Sequence, residues 1–98
     1  DMAAYARKMF GMYGGKEEWV RIECDNSFAG VMIDRFGKDV SMIRLDDKRF
    51  VVNVEVAVSR QFLAWIISLG EGVTLVGPDN VVEMMNIEID RLIKQYKK

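Results

Sequence analysis

The chain has 98 residues, enough for one compact domain. Half of them are apolar and 30% are charged, the balance of an ordinary globular domain, and a domain of this size can hold one core without metal or disulfide staples. Fourteen basic against fifteen acidic residues leave a net charge of −1, which argues against a free-standing nucleic-acid binder, because such proteins need a basic stripe to displace counterions.

The first residue is Asp1, and the opening residues read as the tail of a preceding linker or helix. The chain is therefore expected to be a piece of a longer protein. Met2, Tyr5, Met9 and Phe10 recur at roughly helical spacing and predict a short amphipathic helix docked on a neighbour. Gly11, Gly14 and Gly15 break it. They are no phosphate loop, since no G-x-x-x-x-G-K-S/T pattern accompanies them. Residues 1–15 thus read as a connecting helix and Gly-rich linker, and residues 16–98 as the domain.

From Glu18 to Cys24 the residues alternate. Val20, Ile22 and Cys24 face one way, and Trp19, Arg21 and Glu23 the other, as in a half-buried strand. Asp25, Asn26 and Ser27 offer helix N-cap chemistry. Phe28, Val31, Met32 and Phe36 then share one helical face, and Gly37 ends it as a left-handed cap. Val40 to Leu45 and Phe50 to Val56 are rich in β-branched residues, and the polar link Asp46-Asp47-Lys48-Arg49 joins them as a hairpin. Ser59 caps the next helix, whose apolar stripe is Phe62, Leu63, Ile66 and Leu69 and whose end is Gly70. Val73 to Val76 form a short strand. Gly77-Pro78-Asp79 opens the last helix, with Pro78 in its first turn. Val82, Met85, Ile89, Leu92, Ile93 and Tyr96 give that helix a continuous apolar seam.

This order predicts an α+β fold: a ferredoxin-like βαββαβ unit with a four-stranded antiparallel sheet and helices on one face, plus the leading short helix and a C-terminal helix. Right-handed crossovers place the first and third strands at the centre. The other face of the sheet then carries Trp19, Arg21, Glu23, Val51, Asn53 and Glu55. The charged members suit a solvated or cross-strand-paired surface. Trp19 and Val51 do not, and two readings of them stay open. Either the leading or the last helix folds over them, or they anchor a contact with another domain or subunit.

Enzyme chemistry finds little to work with. Histidine is absent, which removes the commonest general base and metal ligand. The one cysteine, Cys24, can form neither an internal disulfide nor a zinc site, and it fits a half-buried strand in a reducing cytosol. The paired acids Glu17-Glu18 and Asp46-Asp47 read as solvated turns. Arg35, in Asp34-Arg35-Phe36-Gly37, is either a ligand-binding residue or a salt-bridge partner at a helix end. The seven methionines read as core filler. No catalytic residue, metal site or cofactor is predicted, and no membrane segment is visible. An RNA-recognition reading fails because Val51, Asn53 and Glu55 stand where stacking aromatics would be needed. An acyl-phosphate hydrolase reading fails because the loop Cys24-Asp25-Asn26-Ser27 after the first strand is acidic.

Several segments together resemble the C-terminal extension (WCX) domain of WYL-domain bacterial transcriptional regulators. They are Val20 to Cys24, Val31 to Gly37, Phe50 to Val54, Ser59 to Ile66, and Gly70 followed by Val73 to Pro78. Arg35-Phe36-Gly37 and Phe62-x-x-Trp65 are the most telling. Tyr5 to Met12 resembles the segment leading out of the barrel of such proteins. The resemblance implies a cytoplasmic regulator with an N-terminal helix-turn-helix, a middle WYL barrel that senses an effector, and this tail. The tail would dock on the barrel and contribute to homodimer assembly, and DNA would be reached only through the helix-turn-helix, outside this chain. The Trp-Tyr-Leu motif and the ligand-binding arginines of the barrel are not in this chain, so no ligand site is carried over. The alternative is a stand-alone small-molecule sensor resembling amino-acid-binding regulatory domains.

Overall fold

A computed structural model of the chain describes residue 10 and residues 14–97. Alternation sets the strands. β1 spans Lys16–Asp25, β2 Ser41–Arg44, β3 Arg49–Val58 and β4 Val73–Gly77. They form one antiparallel sheet in the order β2-β3-β1-β4, with the two ten-residue strands at its centre as expected. β1 and β3 run in unbroken register, Val20 opposite Val54 and Ile22 opposite Val52. β2 and β3 are the predicted hairpin, Met42 opposite Val52. Three α-helices lie among residues 14–97: α1 Ala29–Phe36, α2 Arg60–Ser68 and α3 Asp79–Tyr96.

The core collects the inward side chains of β1 and β3 with one stripe from each of the first two helices. Val20, Ile22, Cys24, Val52, Val54 and Val56 are buried with Met32 and Phe36 of α1 and Phe62, Leu63 and Ile66 of α2. Each such large side chain contributes about 1.5–3 kcal/mol by leaving water, so a charge placed at Ile22 or Phe62 would abolish the fold. Phe10 joins this core, with its ring 5.3 Å from that of Phe62 and edge-on to it. The other residues of the predicted leading helix, among them Met2, Tyr5 and Met9, lie outside the described residues.

Local chemistry explains most boundaries and corrects three expectations. Ser59 caps α2 as predicted, its Oγ accepting from the Phe62 N–H at 3.3 Å. Gly15 has φ of 94° and approaches the Val58 carbonyl so closely that a Cβ would collide with it.

The first correction concerns Asp25, Asn26 and Ser27, which do not cap α1. A 3-10 turn, Asn26–Phe28, precedes the helix, and Phe28 stands at its cap position without a side-chain bond. Asn26 is taken by the hairpin loop instead: its backbone N–H donates to Lys48 O at 2.8 Å, and its side-chain amide donates to Asp47 O at 2.9 Å. Second, Gly37 does end α1 with positive φ, but at φ 94° and ψ 159° it is extended rather than left-handed helical. Third, Pro78 sits at the cap of α3 and the helix begins at Asp79.

The seam of α3 also differs from the prediction. Its inward line is Val81, Met85, Glu88 and Leu92. Val81 is fully buried, Met85 packs on the core, and Glu88 is 9% exposed. Val82 is half-buried, whereas Ile89, Ile93 and Tyr96 are exposed. The apolar residues of α3 span more than one face, so periodicity alone could not choose which side meets the body.

Candidate functional site

The open face of the sheet follows from the pleat. With Val20 and Ile22 turned inward, Trp19, Arg21 and Glu23 must point outward. The register sets Trp19 opposite Glu55, Arg21 opposite Asn53 and Glu23 opposite Val51. All six residues predicted for this face are therefore neighbours on its two central strands. One row crosses the whole sheet: Ile43 on β2, Val51 on β3, Glu23 on β1 and Thr74 on β4.

Apolar surface on this face is exposed. Trp19 is 65% accessible and Ile43 58%, and Val51 is half-buried. Of the two readings of Trp19, closure by the last helix is not seen, and the leading helix apart from Phe10 lies outside the described residues. Phe10 packs instead against Phe62 and Trp65, among the helices. Val76 adds to the exposed face. It lies between Leu75, opposite Ile22, and Gly77, opposite Arg21, where the pairing of β1 and β4 shifts register. The guanidinium of Arg21 lies over the Cα of Gly77, in space that any Cβ there would contest. Ile43 could have been found from the alternation of Val40 to Leu45. Val76 could not, because the irregular register is invisible in sequence.

Charge gathers at one end of the face. Arg49 reaches Glu23 across the strand pair and holds Asp46 with Nη2 at 2.9 Å from Oδ2. Asp46 also accepts from the backbone N–H groups of Lys48 and Arg49, at 2.8 and 2.9 Å. The Lys48 N–H above all, then the Arg49 side chain, holds its carboxyl below the usual carboxylate range. Arg44 pairs with Asp47. An open depression of about 420 Å³ lined by Asp25, Asp46, Asp47, Lys48 and Arg49 lies at this turn. Its carboxylates 46 and 47 are engaged in fixing the turn. Among the described residues no group of three or more His, Cys, Asp or Glu is placed to hold a metal.

Arg35 is not part of the sheet face. Its guanidinium lies over two rings, 5.0 Å from the centroid of Trp65 and 5.5 Å from that of Phe10. Cys24 is buried, and burial, then the charges of Asp25 and Glu23, push its thiol up to about 11. It is therefore neutral near pH 7 and poorly suited to act as a nucleophile. Among the described residues no helix is long and apolar enough to cross a membrane. The face presents an exposed indole and aliphatic side chains, with Arg21 beside them and a fixed charged rim.

Comparison with known families bears on this surface. The family model of the WCX domain matches residues 16–93, nearly all of the described fold. A search of curated proteins finds no match to the chain.

Proposed function

The chain belongs to the WCX domain family, and from that premise we propose that it is a non-enzymatic regulatory module of a WYL-type transcriptional regulator. In this proposal it acts in the cytoplasm, docking on the regulator's own barrel domain or a partner subunit and passing on effector binding by changing those contacts. DNA would be met only through a separate helix-turn-helix. The order β2-β3-β1-β4, with Met32 and Phe36 of α1 and Phe62 and Ile66 of α2 on the buried face, supports a ferredoxin-like arrangement as its scaffold.

The observation that carries the reading is Trp19, 65% exposed on the open face of a central strand with Ile43 and Val76 also bare on the same face. A half-open antiparallel sheet is ordinary, but an indole at its middle is an expensive residue to leave in water and a frequent anchor at interfaces. Trp19→Arg tests it, measured in the full-length protein by the docking of the domain on its barrel, by assembly state and by effector-dependent operator binding. Loss of at least one of these with the fold intact is expected. If all three were unchanged, the open face would not be the working surface.

A further inference from the structure

Helix α3 carries an apolar stripe that its own domain does not cover. Val82, Ile89, Ile93 and Tyr96 recur at seven-, four- and three-residue steps, beside the inward line of Val81, Met85, Glu88 and Leu92. Val82 is half-buried, but Ile93 is 50% and Tyr96 73% exposed. Immediately outside this stripe runs a charged one, and it is sorted by sign. From residue 79 to 90 it carries Asp79, Glu83 and Asp90 and no base, Glu88 being turned to the domain with Arg91 as its partner. From 92 to 97 it carries Lys94 and Lys97 and no acid.

We propose that α3 pairs with α3 of a second copy of this chain, antiparallel, about a two-fold axis beside Ile89. Only this orientation makes the helix complementary to itself. It sets Val82 level with Tyr96 of the second copy and brings Glu83 within one residue of the level of Lys94 of the second copy, twice by symmetry. The helix dipoles then oppose one another as well. Parallel pairing would set acid against acid and base against base along the whole contact. Asp90 comes to lie near the axis, where like charges meet, and limits the affinity. The 18-residue helix is about 27 Å long. Two such stripes bury on the order of 1,000 Å², the low end for specific interfaces, so the isolated contact is expected to be micromolar or weaker. This inference rests on the reading that the domain works through subunit contacts, but it uses a surface separate from Trp19.

Sedimentation of the 98-residue chain from about 1 μM to about 1 mM covers the expected range. The unaltered chain should dimerise, and Ile93→Glu should raise the dissociation constant by roughly a hundredfold with unchanged circular dichroism. Glu83→Lys and Lys94→Glu should each weaken it roughly tenfold, and the double reversal should restore it to within about threefold of the original. A chain that is monomeric throughout overturns the proposal. So does a dimer indifferent to Ile93→Glu, or a double reversal no stronger than either single one. A dimer that ignores these changes but dissociates with Trp19→Arg would move the subunit contact to the sheet face. It would overturn the α3 pairing and leave the regulatory reading standing.

Discussion

The guanidinium of Arg35 rests 5.0 Å from the centre of the Trp65 ring, so a residue at the end of α1 is clamped to the middle of α2 by a charge on an aromatic face. Phe10 lies at 5.5 Å from the same guanidinium, and the Phe36 ring meets Trp65 edge-on at 5.6 Å. The cluster ties Phe10 to the first two helices. Arg35→Met keeps the aliphatic stem and removes the cation, and it should cost about 1 kcal/mol in urea unfolding. Arg35→Lys should recover part of that. A stability unchanged by Arg35→Met would show the stacking to be incidental.

Trp19 and Trp65 should separate function from stability. Trp19 is mostly solvent-exposed, so Trp19→Ala should alter unfolding by no more than about 0.5 kcal/mol. Trp65 is half-buried among Phe10, Phe36 and Phe62, so Trp65→Ala should cost about 2 kcal/mol or more. Iodide quenching should follow the same division. A Trp65→Phe chain, which fluoresces only from Trp19, should be quenched readily, and a Trp19→Phe chain poorly. Docking of the sheet face on a partner should protect the first and leave the second unchanged.

The sequence made this face legible because it depends on a two-residue period. Alternation assigned Trp19 to Cys24 of β1 to their faces, and the valines of β3 completed the buried side. The capping of α1 was not legible, because Asn26 has two suitors and the hairpin loop, with Asp47 lying 21 residues away, outcompetes the helix. The Glu23–Arg49 pair required the β1–β3 register, which composition does not contain. Arg35 required knowing that Phe10 packs against Trp65. On α3 the failure had another cause. A helix with apolar residues at 81, 82, 84, 85, 87, 89, 92 and 93 has several possible seams. The burial of Val81 and the pairing of Glu88 with Arg60 identify the one that faces the domain.

Cys24 offers a measure of how often the central strand opens. Burial first, and the nearby acids second, raise its thiol to about 11, above the ordinary cysteine value of about 8.5. A raised value of this kind contributes stability that is complete below about pH 8.5 and is lost as pH rises through about 11. At pH 8 the folded chain should therefore react with a thiol reagent only through opening of the sheet. Labelling should accelerate in urea in step with unfolding. Fast labelling in buffer, at the rate of a free thiol, would contradict the burial.

Glu88 fixes the position of α3, and its titration should be visible in the acid limb of stability. Its carboxylate accepts from Arg91 on its own helix, with Nε at 3.0 Å, and from Arg60 at the start of α2, with Nε at 3.3 Å. The Arg91 bond chiefly, then the charges of Arg60 and Arg91, hold its carboxyl below the ordinary glutamate range against the opposing cost of burial. Because the folded value is depressed, the contribution is present above the unfolded value of about 4.3 and disappears as pH falls through the folded one. Asp46 titrates in the same window for its own reasons, so the acid limb of the unaltered chain alone cannot isolate Glu88. The difference between that chain and Glu88→Gln can. It should be largest near pH 7 and shrink steadily below about pH 4.3, approaching the residual cost of exchanging one polar group for another. Arg60→Ala should remove the part of that difference that spans two helices and leave the Arg91 part in place. A gap between the unaltered and Glu88→Gln chains that stayed constant from pH 7 to pH 3 would mean that the carboxylate charge does not hold α3 against the domain.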